Sequence, residues 1–173
     1  YLVEHVHVPI RRVLVDEINW NDRLIAIKGG RGGGKTDFLL HYAKEQRRLD
    51  PEESKHMLYV NFNDFYFTEH SLVEFAGQFV AAGGKTLLVD QAFKNPNWSR
   101  ELAQCFYRYP SLRIVFIASP VMRLIEDNKD IGHIVHPYNL RGFSFREYLN
   151  VTLGLKLPVY SLQDILKNHV EIA

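Results

Sequence analysis

The sequence predicts an α/β fold: a mostly parallel sheet covered by helices on both sides, in three layers. Three observations predict it. Residues 24–27, 57–60, 86–89 and 112–118 are short apolar runs with little alternation, the pattern of strands buried on both faces. Helix-patterned segments stand between these runs, as crossovers between parallel strands require. A glycine cluster at 29–34 joins the first run to the first such segment, where open α/β sheets place a ligand-binding turn. With 173 residues, 46% hydrophobic and 24% charged, the chain fits one globular domain with a short extension, and disorder is excluded as its main state.

Residues 24–27 (LIAI), bounded by Asp22-Arg23 and the glycines, form the first strand. From 35 to 49 there is no Gly or Pro. Phe38, Leu39, Tyr42 and Ala43 recur there at helical spacing, and Pro51 ends the segment. Residues 57–60 (MLYV) form the second strand. Ser71-Leu72-Val73-Glu74 fits a capping box, opening a helix with Leu72, Phe75, Ala76, Phe79 and Val80 on its apolar face and Gly83-Gly84 at its end. Residues 86–89 (TLLV) are the third strand, 98–109 a helix stopped by Pro110, and 112–118 (LRIVFIA) the fourth strand. A short helix after Ser119-Pro120, a polar loop at 126–132 and a fifth strand around 134–140 are expected next. Ser144 with Glu147 and Ser161 with Asp164 cap two C-terminal helices. The expected division is a core over 1–153 and the start of a helical extension over 154–173. The chain opens on Tyr1, and its last helix reaches Ala173 without a stop signal, so further sequence is expected beyond both ends.

The 21 basic and 20 acidic residues give a net charge of +1, so there is no electrostatic footprint of a nucleic acid or an anionic membrane. No apolar run is long enough to span a bilayer, so no membrane partner is expected. The opening segment is broken by Glu4, His5 and His7 and has no small-residue cleavage site, unlike a signal peptide. A single cysteine, Cys105, excludes an internal disulfide and a cysteine-only metal site, and a cytoplasmic location is expected.

Gly29-Gly30-Arg31-Gly32-Gly33-Gly34-Lys35-Thr36 matches G-x-x-x-x-G-K-[ST] between a strand and a helix, the context this phosphate-binding loop requires. Glycines let backbone N–H groups wrap a polyphosphate, and the helix N-terminus adds partial positive charge. The expected nucleotide contacts are Gly30, Arg31, Gly32, Gly33, Gly34, Lys35, Thr36 and Asp37. Lys35 reaches the β- and γ-phosphates, and the Thr36 hydroxyl serves Mg²⁺. Gly84-Lys85-Thr86 also reads GKT, but Phe79 stands where the first glycine belongs and a strand follows, so it is a helix stop.

The third strand ends in Asp90, the Walker B position that helps hold Mg²⁺. Gln91 follows, where many ATPases of this type carry a glutamate. Glutamine orients a water but accepts no proton, and loss of a general base lowers rates by about 10²- to 10⁴-fold. Two readings stay open: a Glu→Gln exchange that traps bound ATP, or a native glutamine with slow turnover. Asp64, after the second strand, is a candidate to approach the γ-phosphate or to cap its own loop. Ser119, after the fourth, is a candidate to sense that phosphate or to cap the turn before Pro120.

These residues resemble the AAA-superfamily ATPase domains of many bacterial and archaeal proteins, best known from gut Bacteroidales. The resemblance runs through residues 18–25, Leu88-Val89-Asp90, Asn95-Pro96-Asn97-Trp98, Glu101-Leu102 and 142–149 (GFSFREYL). It implies an ATP-binding P-loop core with sheet order 5-1-4-3-2 and a second, C-terminal domain absent from this chain. The sequence departs from the family in three places. Asp90-Gln91 replaces Asp-Glu, Ile117-Ala118-Ser119-Pro120 replaces Thr-Gly-Ser-Ser, and an arginine often seen upstream of the last segment has no match around 130–136. The first departure bears on hydrolysis and the others on sensing; none touches nucleotide binding.

Weaker signals have plainer explanations. His5-x-His7 and His133-x-x-His136 lack a third metal ligand. Arg141 and Arg146 have the chemistry of arginine fingers, with a salt bridge or exposure the plainer reading of Arg146. Trp98, Phe106 and Tyr109 have core spacing rather than that of a base-stacking platform. The expected ligands are ATP, ADP and Mg²⁺. The enzyme reading, a slow or blocked ATPase, expects a homo-oligomer with ATP. The module reading expects ATP binding without turnover, setting the posture of the absent domain. A small-molecule kinase ranks last, because the 126–132 loop carries one Lys and no Arg.

Overall fold

The computed structural model describes residues 11–119, 124–125 and 128–172. The His5–His7 pair, the helix expected after Pro120 and part of the 126–132 loop lie outside the described residues. The chain divides into two compact units, one ending at Gly142 and one beginning at Phe143.

The first unit is built on strands β1 (Leu24–Lys28), β2 (Met57–Asn61), β3 (Thr86–Asp90), β4 (Arg113–Ala118) and β5 (His136–Asn139). They form one sheet in the order β2-β3-β4-β1-β5, every pair parallel. This is the expected order, read from the opposite edge.

Period-two alternation explains why the central strands look apolar throughout. Leu24, Ala26, Leu87, Val89, Ile114 and Phe116 face one side, against Leu72, Val73 and Ala76 of α5 (Leu72–Ala81) and Leu102 and Cys105 of α6 (Trp98–Arg108). Ile25, Ile27, Leu88, Val115 and Ile117 face the other side. There they meet Phe38, Leu39, Tyr42 and Ala43 of α2 (Lys35–Leu49), with Leu14 and Val15 of α1 (Leu14–Glu17). Each fully buried Leu, Ile or Phe is worth about 1.5–3 kcal/mol of burial, so the two cores clamp the sheet between helical layers.

The capping box at α5 is present: Glu74 N donates to Ser71 Oγ at 3.2 Å and Ser71 N to Glu74 Oε2 at 3.1 Å. The Gly84-Lys85-Thr86 segment is a helix stop, with Gly83 at φ +89° and Gly84 N donating to Phe79 O at 2.8 Å. Four short helical turns go beyond the sequence reading: α1, α3 (Pro51–Ser54), α4 (Tyr66–Glu69) and the 3-10 turn Ala92–Lys94. In α3 the proline that ends α2 occupies a first-turn position of the next helix, and Asp50 Oδ1 accepts from Glu53 N at 3.0 Å. Strand β5 is shorter than the expected 134–140, since Ile134 and Val135 are held in a turn on Ile131 O and Pro137 suits only an edge strand.

In the second unit, α7 (Phe145–Leu153) begins at the Ser144–Glu147 capping box and ends at Gly154, φ +63°. The last helix, α8 (Leu162–Ile172), follows the Ser161–Asp164 cap, in which Asp164 N donates to Ser161 Oγ at 3.1 Å. Among the described residues no helix is long and apolar enough to cross a membrane.

Candidate nucleotide-binding site

The glycine loop leaves β1 and must turn sharply into α2. Gly34, the N-cap, sits at φ +77°, and Phe38 N donates to its carbonyl at 2.8 Å to start the helix. Gly33 N closes a tight turn on Gly30 O at 3.1 Å. Gly29 is glycine for a different reason: a Cβ there would stand 2.6 Å from Leu140 O, just past β5. The loop is thus pinned to the sheet at its first residue and free to curl beyond it.

Lys35 folds back on this loop, its Nζ donating to Gly29 O at 2.7 Å and Gly30 O at 2.8 Å. Burial holds its ammonium below the ordinary lysine range, with Asp90 pulling the other way. Two neutral carbonyls therefore hold a cation for which a phosphate oxygen is a stronger partner.

Asp90 is 1% exposed. Its Oδ2 accepts two hydrogen bonds, from Thr36 Oγ1 at 2.6 Å and from the Tyr59 hydroxyl at 2.9 Å. Its Oδ1 is buried with no hydrogen-bond partner. An unsatisfied buried carboxylate oxygen is costly, and a carboxylate with the Thr36 hydroxyl against its other oxygen has the chemistry to help hold a hydrated divalent cation. Burial, then Asp90, push the Tyr59 phenol well above its usual range, so it stays a donor. Among the described residues there is no cluster of three His, Cys, Asp or Glu side chains able to hold a metal; magnesium bound through one carboxylate, a hydroxyl, phosphates and waters needs none.

A cavity of about 750 Å³, ample for a nucleotide's phosphates, is lined by Gly29, residues 31–37, Asp90, Gln91, Phe93, Lys94, Ile117 and Ser119. It gathers Arg31, Gly32, Gly33, Gly34, Lys35, Thr36, Asp37, Asp90, Gln91 and Ser119 from the sequence-predicted set. Gly30 contributes its carbonyl to Lys35 and to the loop turn. Gln91 takes a left-handed conformation, φ 58°, as it opens the 3-10 turn Ala92–Lys94. Asp64 is not brought to this group. It is exposed, and its Oδ1 accepts from Tyr66 N at 3.0 Å. The sheet order explains this: β2 lies three strand spacings from β1, about 14 Å sideways.

Sequence reasoning missed Tyr59, Phe93, Lys94, Ile117 and Arg12. Arg12 is buried, and its guanidinium reaches Gly33 O at 3.4 Å and Gly142 O at 3.2 Å, joining the loop to the end of the first unit. Phe93 and Lys94 carry a weak sequence signal, lying one residue, Ala92, beyond the Asp90-Gln91 pair. The aromatic residues weighed above, Trp98, Phe106 and Tyr109, pack against the core. Arg146 Nη1 donates to Leu157 O at 3.4 Å within the second unit, and Arg141 presents its backbone carbonyl to Arg12.

Residues 21–149 match a protein family described as AAA domain. Among solved structures, AMPPCP-bound DnaA from Aquifex aeolicus is similar with a TM-score of 0.52 and 16% identity, over 90% of this chain and 55% of that one. PCH-2 of C. elegans is similar with a TM-score of 0.49 and 20% identity, over 83% of this chain and 39% of that one. This chain therefore spans about half the length of the DnaA chain, and the likeness concerns the fold. No curated protein sequence matches it.

Proposed function

The chain belongs to the AAA domain family, and from that premise we propose that it binds ATP with Mg²⁺ and hydrolyses it slowly, Gln91 standing where a catalytic glutamate is usual. One observation carries this reading: the phosphate-loop hydroxyl of Thr36 is bonded to the buried Asp90 carboxylate while Asp90 Oδ1 is left without a partner. A sheet that needed Asp90 only for stability would not bury a bare anionic oxygen at the mouth of a glycine loop.

In this reading the backbone N–H groups of 30–34 and the start of α2 cradle the phosphates. Lys35 exchanges its two carbonyl partners for β- and γ-phosphate oxygens. Thr36 and Asp90 would hold the cation, Thr36 by its hydroxyl oxygen and Asp90 by its carboxylate, directly or through a water. Mg²⁺, when bound, supplies charge neutralisation at the phosphate oxygens. Water orientation falls to Gln91, which lines the cavity, since Asp64 is engaged at the Tyr66 turn. Ser119 faces the same cavity from β4 and is assigned to the γ-phosphate or its water. Residues 1–153 form the ATPase core and 154–173 begin a helical extension; a homo-oligomer and a cytoplasmic setting complete the proposal.

A second reading, a switch that binds ATP without turnover, is favoured by Arg12. Its bonds to Gly33 O and Gly142 O link the loop to the point where the next unit begins. The test is MgATP turnover by this chain beside Gln91→Glu. A gain of about tenfold or more in the variant supports a centre held back by one glutamine. Equal inertness of two ATP-binding chains supports the switch. Tight ATP binding by Lys35→Ala overturns both.

A further inference from the structure

We propose that Tyr59 is a positioning residue for the divalent cation: its hydroxyl, together with that of Thr36, fixes the Asp90 carboxylate beside the phosphate loop, where a nucleotide-bound metal would stand. The inference rests on the nucleotide reading above and adds a residue that neither the loop motif nor the Walker B strand contains.

The placement follows from register. Strand β2 runs parallel to β3 with Tyr59 opposite Leu88 and Asn61 opposite Asp90. Period-two alternation puts Tyr59, Leu88 and Asp90 on one face, so Tyr59 and Asp90 are diagonal neighbours about 7–8 Å apart along the backbone. Among common strand residues a tyrosine spans that gap and ends in a donor. It does so here, the phenol oxygen lying 2.9 Å from Asp90 Oδ2. A carboxylate only accepts, so the phenol donates. Its other neighbour, Asn61 Nδ2, is itself a donor to the phenol oxygen at 3.5 Å, so the phenol proton is left to Asp90.

The distribution of donors carries the argument. Thr36 from α2 and Tyr59 from β2 both donate to Oδ2, while Oδ1 is buried and bare. Converging on Oδ2 from two elements, these donors stop the carboxylate from pivoting and hold it next to the Thr36 hydroxyl. Partners of this kind, one step out from a metal, govern affinity because a ligand aimed in advance loses less entropy on binding. With Tyr59→Phe the carboxylate keeps the Thr36 bond alone and can swing about it. The exchange removes one oxygen and keeps every ring carbon, so the fold is retained.

The experiment uses Mn²⁺ as the probe, free Mn²⁺ being counted by electron paramagnetic resonance in the presence of ADP-loaded chain. ADP affinity is measured separately in EDTA. For Tyr59→Phe the expected result is Mn²⁺ affinity about tenfold weaker with metal-free ADP affinity within about twofold of the parent. Unchanged Mn²⁺ affinity overturns the inference and leaves the nucleotide reading standing. An equal fall in both affinities also overturns it, since the ring would then be supporting the loop by packing. A parent chain that takes up no ADP removes the nucleotide reading and this inference with it.

Discussion

Thr36 Oγ1 lies 2.6 Å from Asp90 Oδ2, a hydrogen bond that joins the first turn of α2 to the last residue of β3. Fifty-four residues separate the two in sequence. The sheet order brings them together, because α2 crosses the face of the sheet on which Leu88 and Asp90 project. Substituting Thr36 by Val keeps the branched shape and removes the hydroxyl. The expected outcome is that Mg²⁺ no longer tightens ADP binding, a loss of about tenfold or more, while affinity in EDTA changes little. Calorimetric titration with and without Mg²⁺ checks this, and full Mg²⁺ enhancement in the Thr36→Val variant would remove Thr36 from the cation site.

Gly29 and Gly30 are neighbours in one motif with different structural demands. A methyl at Gly29 meets Leu140 O at 2.6 Å, and Leu140 N is itself bonded to Lys28 O at 2.7 Å, so neither partner can retreat cheaply. A methyl at Gly30 meets nothing within 4 Å. Gly29→Ala is therefore expected to cost about 1–3 kcal/mol of stability, and Gly30→Ala under about 1 kcal/mol. Urea unfolding of the two variants side by side decides it; equal losses would refute the steric account of Gly29.

The strands, the main helices and the loop motif were legible in the sequence because each is written locally. Apolar runs mark 24–27 and 86–89, a Ser–Glu spacing marks the start of α5, and eight consecutive residues spell the phosphate loop. What was not legible depends on which strands become neighbours. Tyr59 bonds Asp90 only because β2 pairs with β3 in one particular register. Asp64 follows a strand at the correct end of the sheet, yet β2 is the edge strand farthest from β1. Arg12 lies 21 residues before the carbonyl of Gly33 and 130 before that of Gly142, with no pattern to announce either contact. Gln91 was singled out for its chemistry, but its left-handed backbone, uncommon outside glycine, shows only in the fold.

Lys35 gives the site a pH dependence whose sign can be worked out. Burial lowers its folded pKa below the unfolded lysine value. Below the folded pKa both states carry the proton, and the folded chain bears the whole penalty of holding an ammonium there. Between the two values the unfolded chain binds more protons, so this group makes stability rise with pH. Nucleotide binding runs the other way. Phosphate favours the ammonium and raises its pKa, so above the free-site value binding must take up a proton, and affinity falls as pH climbs. ADP affinity is thus expected to decline across the alkaline range, beginning below the ordinary lysine pKa. In Lys35→Arg, whose guanidinium keeps its proton throughout, any affinity that remains is expected to hold level over the same range. Isothermal titration at stepped pH, repeated in buffers of different ionisation enthalpy, reads the proton uptake directly. A parent chain whose affinity and proton count stay flat while Lys35→Ala no longer binds would show that Lys35 remains fully charged, its two loop carbonyls offsetting the burial.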